Sequence, residues 1–456
     1  MERTSKARRL PRHARSLPAC LRQFLTPTVW KQAHRAQVGP RRQRCWCLHH
    51  LILVALAMTW SVGESAPERF EMARGIVAIC RPKRRRAGET VQGFQKALCR
   101  LPMRPLAALA AGVRLRLLKL FGDDLHVHGF IPLGCDGSRL ECCRNDELLA
   151  RMGQAGKSDS APSLWVTALV HLTTGIPWSW RLGKGTASER GHLMHLIATL
   201  PALALIIADA GFNGYELAAA ILAANGSFLI RMSSKVRLFV DAPIEDDHFE
   251  EGEVSYWPVE AQQKRLPPLR LRLIRVRGRH LVQGRRRKVD VWLLTNLSAK
   301  RLSMTQAALL YRLRWENEGL FRTYKRTLAK VHLVGRTVRA VHREAYVSLL
   351  SCQLLLAQGA WALRERRTEA APPVPCSARQ VLRVIRQELS AAMRPAQRAS
   401  YVDRLGNCAR ERRARSTPKQ KREWPRRAPH KPPKPPKLLT MNENEKVLLS
   451  RLNALT

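Results

Sequence analysis

The sequence predicts an α/β fold, and the main reason is one strand, helix, strand unit. Residues 202–208 form an apolar run of strand length, and residues 228–231 form a second one. Between them, Asn213 followed three residues later by Glu216 is the pattern of a helix N-terminus, and Gly226 is expected to end that helix. A unit of this kind predicts two parallel strands within a sheet.

Further elements are expected on both sides of this unit. Residues 130–135 and 163–172 have the composition of short buried strands, and residues 189–200 that of a helix. On the C-terminal side, we expect one helix over residues 305–330 and another that ends at about residue 364.

Residues 235–290 are expected to form a β-rich insertion with a cationic face. Arginine alternates there with apolar residues, and no acidic residue interrupts residues 264–288. Because alternation with period two is the signature of a strand, we predict that arginines line one strand face. The arginines expected to bind DNA are Arg270, Arg272, Arg275 and Arg277.

The charge of the chain indicates a polyanionic partner. Its 456 residues include 80 Lys+Arg against 35 Asp+Glu, a formal net charge of +45. Double-stranded DNA suits such a surface, because each neutralised phosphate releases a condensed counterion. No membrane partner is expected, since the longest apolar run, residues 51–58, is much shorter than the ~20 residues of a spanning helix.

Basic segments flank the predicted core at both ends. Residues 1–50 are Arg-rich with Glu2 as the only acid, and we expect a basic arm there, followed by a helical DNA-binding region over residues 51–125. Residues 366–456 are expected to form a basic, Pro-rich and largely solvated C-terminal tail. The eleven cysteines show no regular framework, which indicates reduced thiols in a cytoplasm.

Two aspartates follow apolar segments that we expect to be strands. Asp136 comes after residues 131–135, and Asp209 comes after residues 205–208. The ends of strands are where an α/β sheet presents functional groups. A single aspartate after a strand is more often a turn former, so neither residue alone indicates a site.

A third acidic residue lies in the helix expected over residues 305–330. Tyr311, Arg314, Glu318 and Lys325 fall within about 60° of one another on an ideal α-helix. Arg314 and Glu318 are also an i,i+4 pair, which alone would indicate an ordinary surface ion pair.

The same four residues resemble the YREK signature of DDE transposases of the insertion-sequence family four type. They match its spacing at every position, and Asp209-Ala210-Gly211-Phe212 is similar to the second-aspartate motif of that family. Ala210 stands where an arginine or lysine is common, which removes one phosphate contact but no metal ligand. Asp136-Gly137-Ser138 resembles the first-aspartate motif.

The resemblance implies a ribonuclease H-like catalytic domain over residues 126–365, with the insertion inside it. It implies a DNA transposase that cuts element ends and transfers strands to target DNA. Asp136, Asp209 and Glu318 would hold two Mg²⁺ ions, with Mn²⁺ as a substitute. Tyr311, Arg314 and Lys325 would contact phosphates. A dimer on DNA and a bacterial, nucleoid-associated cytoplasmic location are implied as well.

Two alternatives stay open at this point. The chain could be a catalytically inactive, basic DNA-binding protein derived from a transposase, which its charge alone would explain. Within the insertion, Trp257 or Trp292 could hold a flipped base, although a core position is the more ordinary role for either.

Overall fold

The structure is a computed structural model that describes residues 16–37, 46–80, 88–154, 160–243, 248–282, 285–367, 375–391, 400–410 and 435–453. By internal contacts, the chain divides into two compact units. The first comprises Met1–Leu125, Asp136–Ser188 and Trp315–Glu411, and the second comprises His126–Cys135, Glu189–Arg314 and Arg412–Thr456.

Capping residues set the starts of several helices in the N-terminal part of the first unit. The Ser16 and Thr26 side chains accept hydrogen bonds from backbone N–H groups, and a proline lies in the first turn of each following helix. The helices are α1 (Leu17–Phe24), α2 (Pro27–Arg35), α3 (Leu48–Trp60), α4 (Ala66–Cys80), α5 (Val91–Arg100) and α6 (Met103–Phe121).

Helices α3 to α6 lie largely within residues 51–125, for which a helical DNA-binding region is predicted. The basic arm expected over residues 1–50 is wrong for residues 17–35, which form α1 and α2. The charge pattern hid a buried apolar face in α1, which includes Leu17, Leu21 and Phe24. Residues 1–15 and 38–45 of that arm lie outside the described residues.

The first predicted strand is longer than expected. Strand β1 (Ile131–Glu141) continues past the apolar segment, so Asp136 lies inside the strand and not directly after it. Helix α7 (Asp146–Met152) and strands β2 (Ser163–His171) and β3 (Pro177–Lys184) follow, and β2 and β3 pair antiparallel. The sequence analysis predicted β2 but not β3, which begins at a proline.

The predicted strand, helix, strand unit is present in the second unit. After α8 (Glu189–Leu196) come β4 (Ala204–Ala208), α9 (Tyr215–Ala223) and β5 (Ser227–Arg231). Strand β4 pairs parallel with β5 and with the start of β1, as the pattern predicts. The expected capping box is absent: Gly214 is the N-cap without a side-chain bond, and Glu216 pairs with Lys264.

The insertion is β-rich, as predicted. It contains β6 (Arg237–Phe239), β7 (Glu251–Tyr256), the short helix α10 (Val259–Gln263), β8 (Leu269–Val282) and β9 (Arg285–Thr295). Strands β8 and β9 form a long antiparallel hairpin, and β9 continues the sheet onto β5.

The helix expected over residues 305–330 is not a uniform α-helix. It consists of α11 (Met304–Leu313), a 3₁₀ turn (Arg314–Glu316), α12 (Asn317–Arg322) and a π-helical segment (Thr323–Thr327). Ser303 caps α11 in a full capping box with Gln306.

Helix α13 (Val338–Arg366) is the central helix of the first unit. Among the described residues it alone has the length and apolar composition that could cross a membrane, but 89% of its most apolar window is buried inside the structure. Several of its buried polar groups bond within the unit: the Ser351 hydroxyl donates to Val347 O at 2.9 Å, and Gln353 Nε2 donates to Pro177 O at 2.9 Å. It is therefore a core helix.

The tail expected over residues 366–456 is wrong for the parts of it that the structure describes. Helices α14 (Ala378–Ala391) and α15 (Tyr401–Gly406) pack against α13. In the second unit, β10 (Lys437–Leu439) pairs with β6, and α16 (Glu443–Asn453) follows it. The strand order of the second unit is β10-β6-β7-β8-β9-β5-β4-β1. Residues 411–434, with most of the Pro-rich run, lie outside the described residues.

Candidate active site

Asp209 lies at the end of β4, where the chain leaves the sheet. The preceding residues Leu205–Ala208 are fully buried, whereas Asp209 is half-buried and begins a 3₁₀ turn. Its Oδ1 accepts a hydrogen bond from the Gly211 N–H at 2.8 Å. A Cβ at residue 211 would lie 3.0 Å from that Oδ1, so glycine permits this close approach. The turn thus fixes the carboxylate at the strand end.

Tyr311, also in the second unit, lies near three charged side chains, those of Asp209, Arg231 and Arg314. Burial raises the pKa of the Tyr311 hydroxyl, the positive charges of Arg314 and Arg231 lower it, and the negative charge of Asp209 raises it. The Arg314 guanidinium also lies over the Tyr311 ring, with Cζ 5.7 Å from the ring centroid. Asp209, Arg231 and Arg314 are therefore close enough to Tyr311 for their charges to act on its hydroxyl.

Arg231 was missed by the sequence analysis, although its position carried a signal. It ends β5, the strand that pairs with β4 in the register Ala208 to Ile230. Asp209 and Arg231 are the residues that directly follow Ala208 and Ile230. The ends of strands are where an α/β sheet presents functional groups, and this holds for Arg231 as it does for Asp209. A charged residue at such a strand end is therefore a candidate site residue.

Asp136 lies in the first unit, in β1. It is half-buried, and its Oδ1 accepts a hydrogen bond from the Gly137 N–H at 2.8 Å. The parallel pairing of β1 with β4 ends at Gly134 and Ile207, and each aspartate follows its last paired residue by two positions.

Glu318 lies in the first turn of α12 and is exposed. The segment from Tyr311 to Lys325 passes through α, 3₁₀, α and π geometry. The expectation that four of its residues share one helix face assumed the constant angle per residue of an α-helix, and that assumption does not hold here. Lys325 lies in the π segment, where burial lowers its pKa and the carboxylate of Glu141 raises it. Glu141, at the end of β1, is thus a carboxylate close to Lys325.

The described residues contain no group of three or more His, Cys, Asp or Glu side chains that could hold a metal ion. Asp136 and Glu318 belong to the first unit, and Asp209 belongs to the second. The three residues that the resemblance assigns to two Mg²⁺ ions therefore belong to two separately described units.

The arginine-lined face predicted for β8 is wrong. Strand β8 runs without a break in register, so Arg270 and Arg272 face the side opposite to Arg275 and Arg277. Three of the four have acidic partners from elsewhere in the chain. Arg272 binds Glu251 at 2.7 Å, Arg275 binds Asp290 at 2.7 Å, and Arg277 binds Glu250.

Arg270 and Arg277 are the exposed members of that set. The run without acids in the local sequence concealed the acidic partners on β7, on β9 and before β7. The two tryptophans considered for a flipped base are core residues. Trp257 is fully buried with Nε1 donating to Leu266 O at 2.7 Å, and Trp292 is buried beneath the Arg275 guanidinium.

Comparison with known proteins gives one family match. Residues 135–354, slightly less than half of the chain, match the family model described as Transposase DDE domain. No curated protein matches the chain. Among solved structures, it is similar to a cryo-EM structure of a piggyBac transposase synaptic complex with hairpin DNA. That likeness has 11% sequence identity and a TM-score of 0.40, and it covers 91% of this chain and 90% of that one.

The structural likeness is too distant to support an argument about fold or function. The family match is of a different kind, because it is a match of sequence over a defined segment. That segment includes Asp136, Asp209 and Glu318, together with Tyr311, Arg314 and Lys325. Over residues 135–354, the chain is similar to the DDE domain of transposases.

Proposed function

We propose that this chain is a DNA transposase with Asp136, Asp209 and Glu318 as its catalytic carboxylates. The observation that carries the proposal is the match of residues 135–354 to the transposase DDE domain, because that segment contains all three residues. The position of Asp209 at a strand end, beside a phenol and two guanidinium groups, supports the same reading.

The finer parts of the proposal come from the resemblance in sequence. They are membership of the insertion-sequence family four type with its YREK signature, a ribonuclease H-like core, a dimer on double-stranded DNA, and a bacterial, nucleoid-associated cytoplasmic location. The Mg²⁺ requirement, with Mn²⁺ as a substitute, belongs to this group as well. Asp136, Asp209 and Glu318 are the residues that would hold the ions, and carboxylate oxygens are ligands that Mg²⁺ prefers.

The proposed reaction consists of two in-line displacements at phosphorus. In the first, water attacks a phosphodiester at the element end, a P–O bond forms, and the P–O3′ bond breaks to leave a 3′-hydroxyl. In the second, that hydroxyl attacks a phosphodiester of the target DNA and replaces its 3′ oxygen. Arg314 and Tyr311 are placed beside Asp209, where they would orient a phosphate group.

Replacement of Glu318 by Gln tests the assignment of the third carboxylate. The substrate is a duplex that carries the terminal DNA flanking the gene, and cleavage is measured with Mg²⁺ and with EDTA. Because the change removes a charge at the reacting centre and little volume, we expect cleavage to fall by at least about 100-fold. Affinity for the duplex should remain.

Glu253→Gln is the matched control, since Glu253 is an exposed carboxylate on β7. It should cut at the wild-type rate. Undiminished cutting by Glu318→Gln would remove Glu318 from the site.

A second candidate is a non-catalytic, basic DNA-binding protein. The net charge of +45 favours it. It predicts DNA binding that weakens steeply with salt, without any metal-dependent cutting or joining.

A further inference from the structure

Arg231 stands apart from the other arginines of the second unit that the sequence singled out. It is the last residue of β5 and the register neighbour of Asp209, which follows β4. Neighbouring strands of a sheet lie ~4.8 Å apart, and side chains at matched positions point to the same face. Arg231 therefore lies at the end of β5, next to the end of β4 from which the chain leads into Asp209.

The hydrogen bonds of Arg231 distinguish it from the arginines of β8. Arg272 and Arg275 bind the carboxylates of Glu251 and Asp290, whereas no carboxylate partner of Arg231 is found within the described residues. The Nε of Arg231 is buried and has no hydrogen-bond partner within the described residues. A buried guanidinium N–H without a partner costs free energy, so an acceptor oxygen supplied by a ligand would stabilise it.

The charges near Arg231 indicate what kind of ligand that is. Arg231, Arg314 and Asp209 all act on the Tyr311 hydroxyl, so two positive charges and one negative charge face the same place. The excess is positive, and the donors there are guanidinium N–H groups. Planar guanidinium groups suit the oxygens of a phosphate, which accept paired hydrogen bonds.

We propose that Arg231 binds a non-bridging oxygen of a DNA phosphate next to Asp209, and that it is a substrate-binding residue of the candidate active site. The proposal rests on the proposed function for its substrate, the terminal duplex. Arg231 lies at the end of a strand and is not one of the four residues of the YREK signature, which lie in the helical segment from Tyr311 to Lys325. The proposal also separates Arg231 from Arg272, Arg275 and Arg277, whose guanidinium groups bind carboxylates of the chain itself.

A binding experiment tests this without requiring catalysis. A labelled terminal duplex is synthesised with one neutral methylphosphonate at a time, moved along the phosphates of the end. Affinity of the wild-type protein and of Arg231→Ala is measured for each duplex. We expect one position where the methylphosphonate weakens wild-type binding about 10-fold but leaves binding by Arg231→Ala unchanged. Arg231→Lys should regain part of the loss, because it restores the charge but not the paired donors.

The slope of log affinity against log salt is the second readout. Arg231→Ala should lower its magnitude by roughly 0.9, the value for one phosphate contact. Lys300→Ala is the matched control: Lys300 is an exposed cation in the loop after β9, and its effect should add to that of every methylphosphonate. Additive effects of Arg231→Ala at all positions would overturn the proposal.

The two proposals fail in different ways. If the wild-type protein never cuts DNA but Arg231→Ala shows the non-additive position, the transposase function fails and the phosphate contact stands. If the wild type cuts DNA and Arg231→Ala behaves as Lys300→Ala does, the phosphate contact fails and the function stands. Thermal unfolding of each variant confirms that the protein is folded before affinities are compared.

Discussion

At the scale of single residues, the guanidinium groups of β8 show how a cation-rich strand can be structural. Arg272 is 7% exposed, and it donates to Glu251, to Leu297 O at 3.1 Å and to Leu302 O at 2.6 Å. It thereby ties β8 to β7 and to the loop that follows β9. Arg270, two residues earlier on the same strand, is exposed. The same residue type therefore has two roles on one strand.

Replacement of Arg272 by Met should reduce stability, whereas the same change at Arg270 should not. The first change leaves the Glu251 carboxylate and two carbonyl oxygens without their donor, so we expect the free energy of unfolding to fall by about 2–3 kcal/mol. Arg270→Met should stay within about 0.5 kcal/mol of the wild type. Urea denaturation of both variants measures the difference. A stable Arg272→Met that has lost DNA affinity would contradict the structural role.

Residue-level prediction from the sequence succeeded where the signal was local. Asp209 was found because a turn directly follows its buried strand, and Tyr311 and Arg314 were found by their spacing. Arg231 and the partners of the β8 arginines were not found, because these contacts join residues far apart in the chain. The Arg275 partner, Asp290, comes from the facing strand of the hairpin.

At the scale of elements, α12 carries Glu318 between two irregular segments. The 3₁₀ turn before it is held by an ion pair. In this pair, Nη1 and Nη2 of Arg410 donate to the two carboxylate oxygens of Glu316, at 2.7 and 2.9 Å. Arg410 follows α15, and its own backbone N–H donates to Pro375 O. Part of the predicted tail thus anchors the turn next to Glu318.

Disruption of this ion pair should slow catalysis more than it weakens DNA binding. We expect Arg410→Ala to lower the cleavage rate by about 3- to 10-fold, because a partly exposed pair contributes about 1 kcal/mol to the placement of the turn. Arg379→Ala, which removes an exposed cation from α14, is the charge-matched control and should cut at the wild-type rate. Single-turnover cleavage measures both variants.

The reversed pair, Glu316→Arg with Arg410→Glu, keeps the net charge and should recover most of the rate. Equal rates for Arg410→Ala and Arg379→Ala would show that the ion pair does not position the turn.

Elements were predictable where hydrophobic periodicity was strong. The β4, α9, β5 unit and the strands of the insertion follow from their patterns. The signals for α14 were equally present, since its apolar residues recur at helical spacing and are buried. Those residues are Val381, Leu382, Ile385 and Leu389. The surrounding prolines and arginines led to the prediction of a tail. The 3₁₀ and π segments near Glu318 could not be predicted, because tertiary packing selects them over a regular helix.

At the scale of the whole molecule, two segments that are far apart in the sequence belong to one unit. Met1–Leu125 and Trp315–Glu411 belong to the same compact unit, and α13 packs against helices from both. This association of distant segments could not be predicted from the sequence, because a hydrophobic pattern shows that a face is buried but not which segment covers it. The formal charge of +45, by contrast, was evident from composition. The ion pairs inside the chain leave this net charge unchanged, because it already counts the 35 acidic residues against the 80 basic ones.

The most direct test of the transposase function is a joining assay. Wild-type protein is incubated with a duplex carrying the terminal DNA that flanks its gene, with a plasmid as target and with Mg²⁺, and the products are sequenced. We expect 3′ ends of the duplex to become joined to the plasmid. We expect no joining by the Glu318→Gln variant, and none by the wild-type protein in the presence of EDTA. Tight DNA binding by the wild-type protein with no joined product under any of these conditions would contradict the transposase function.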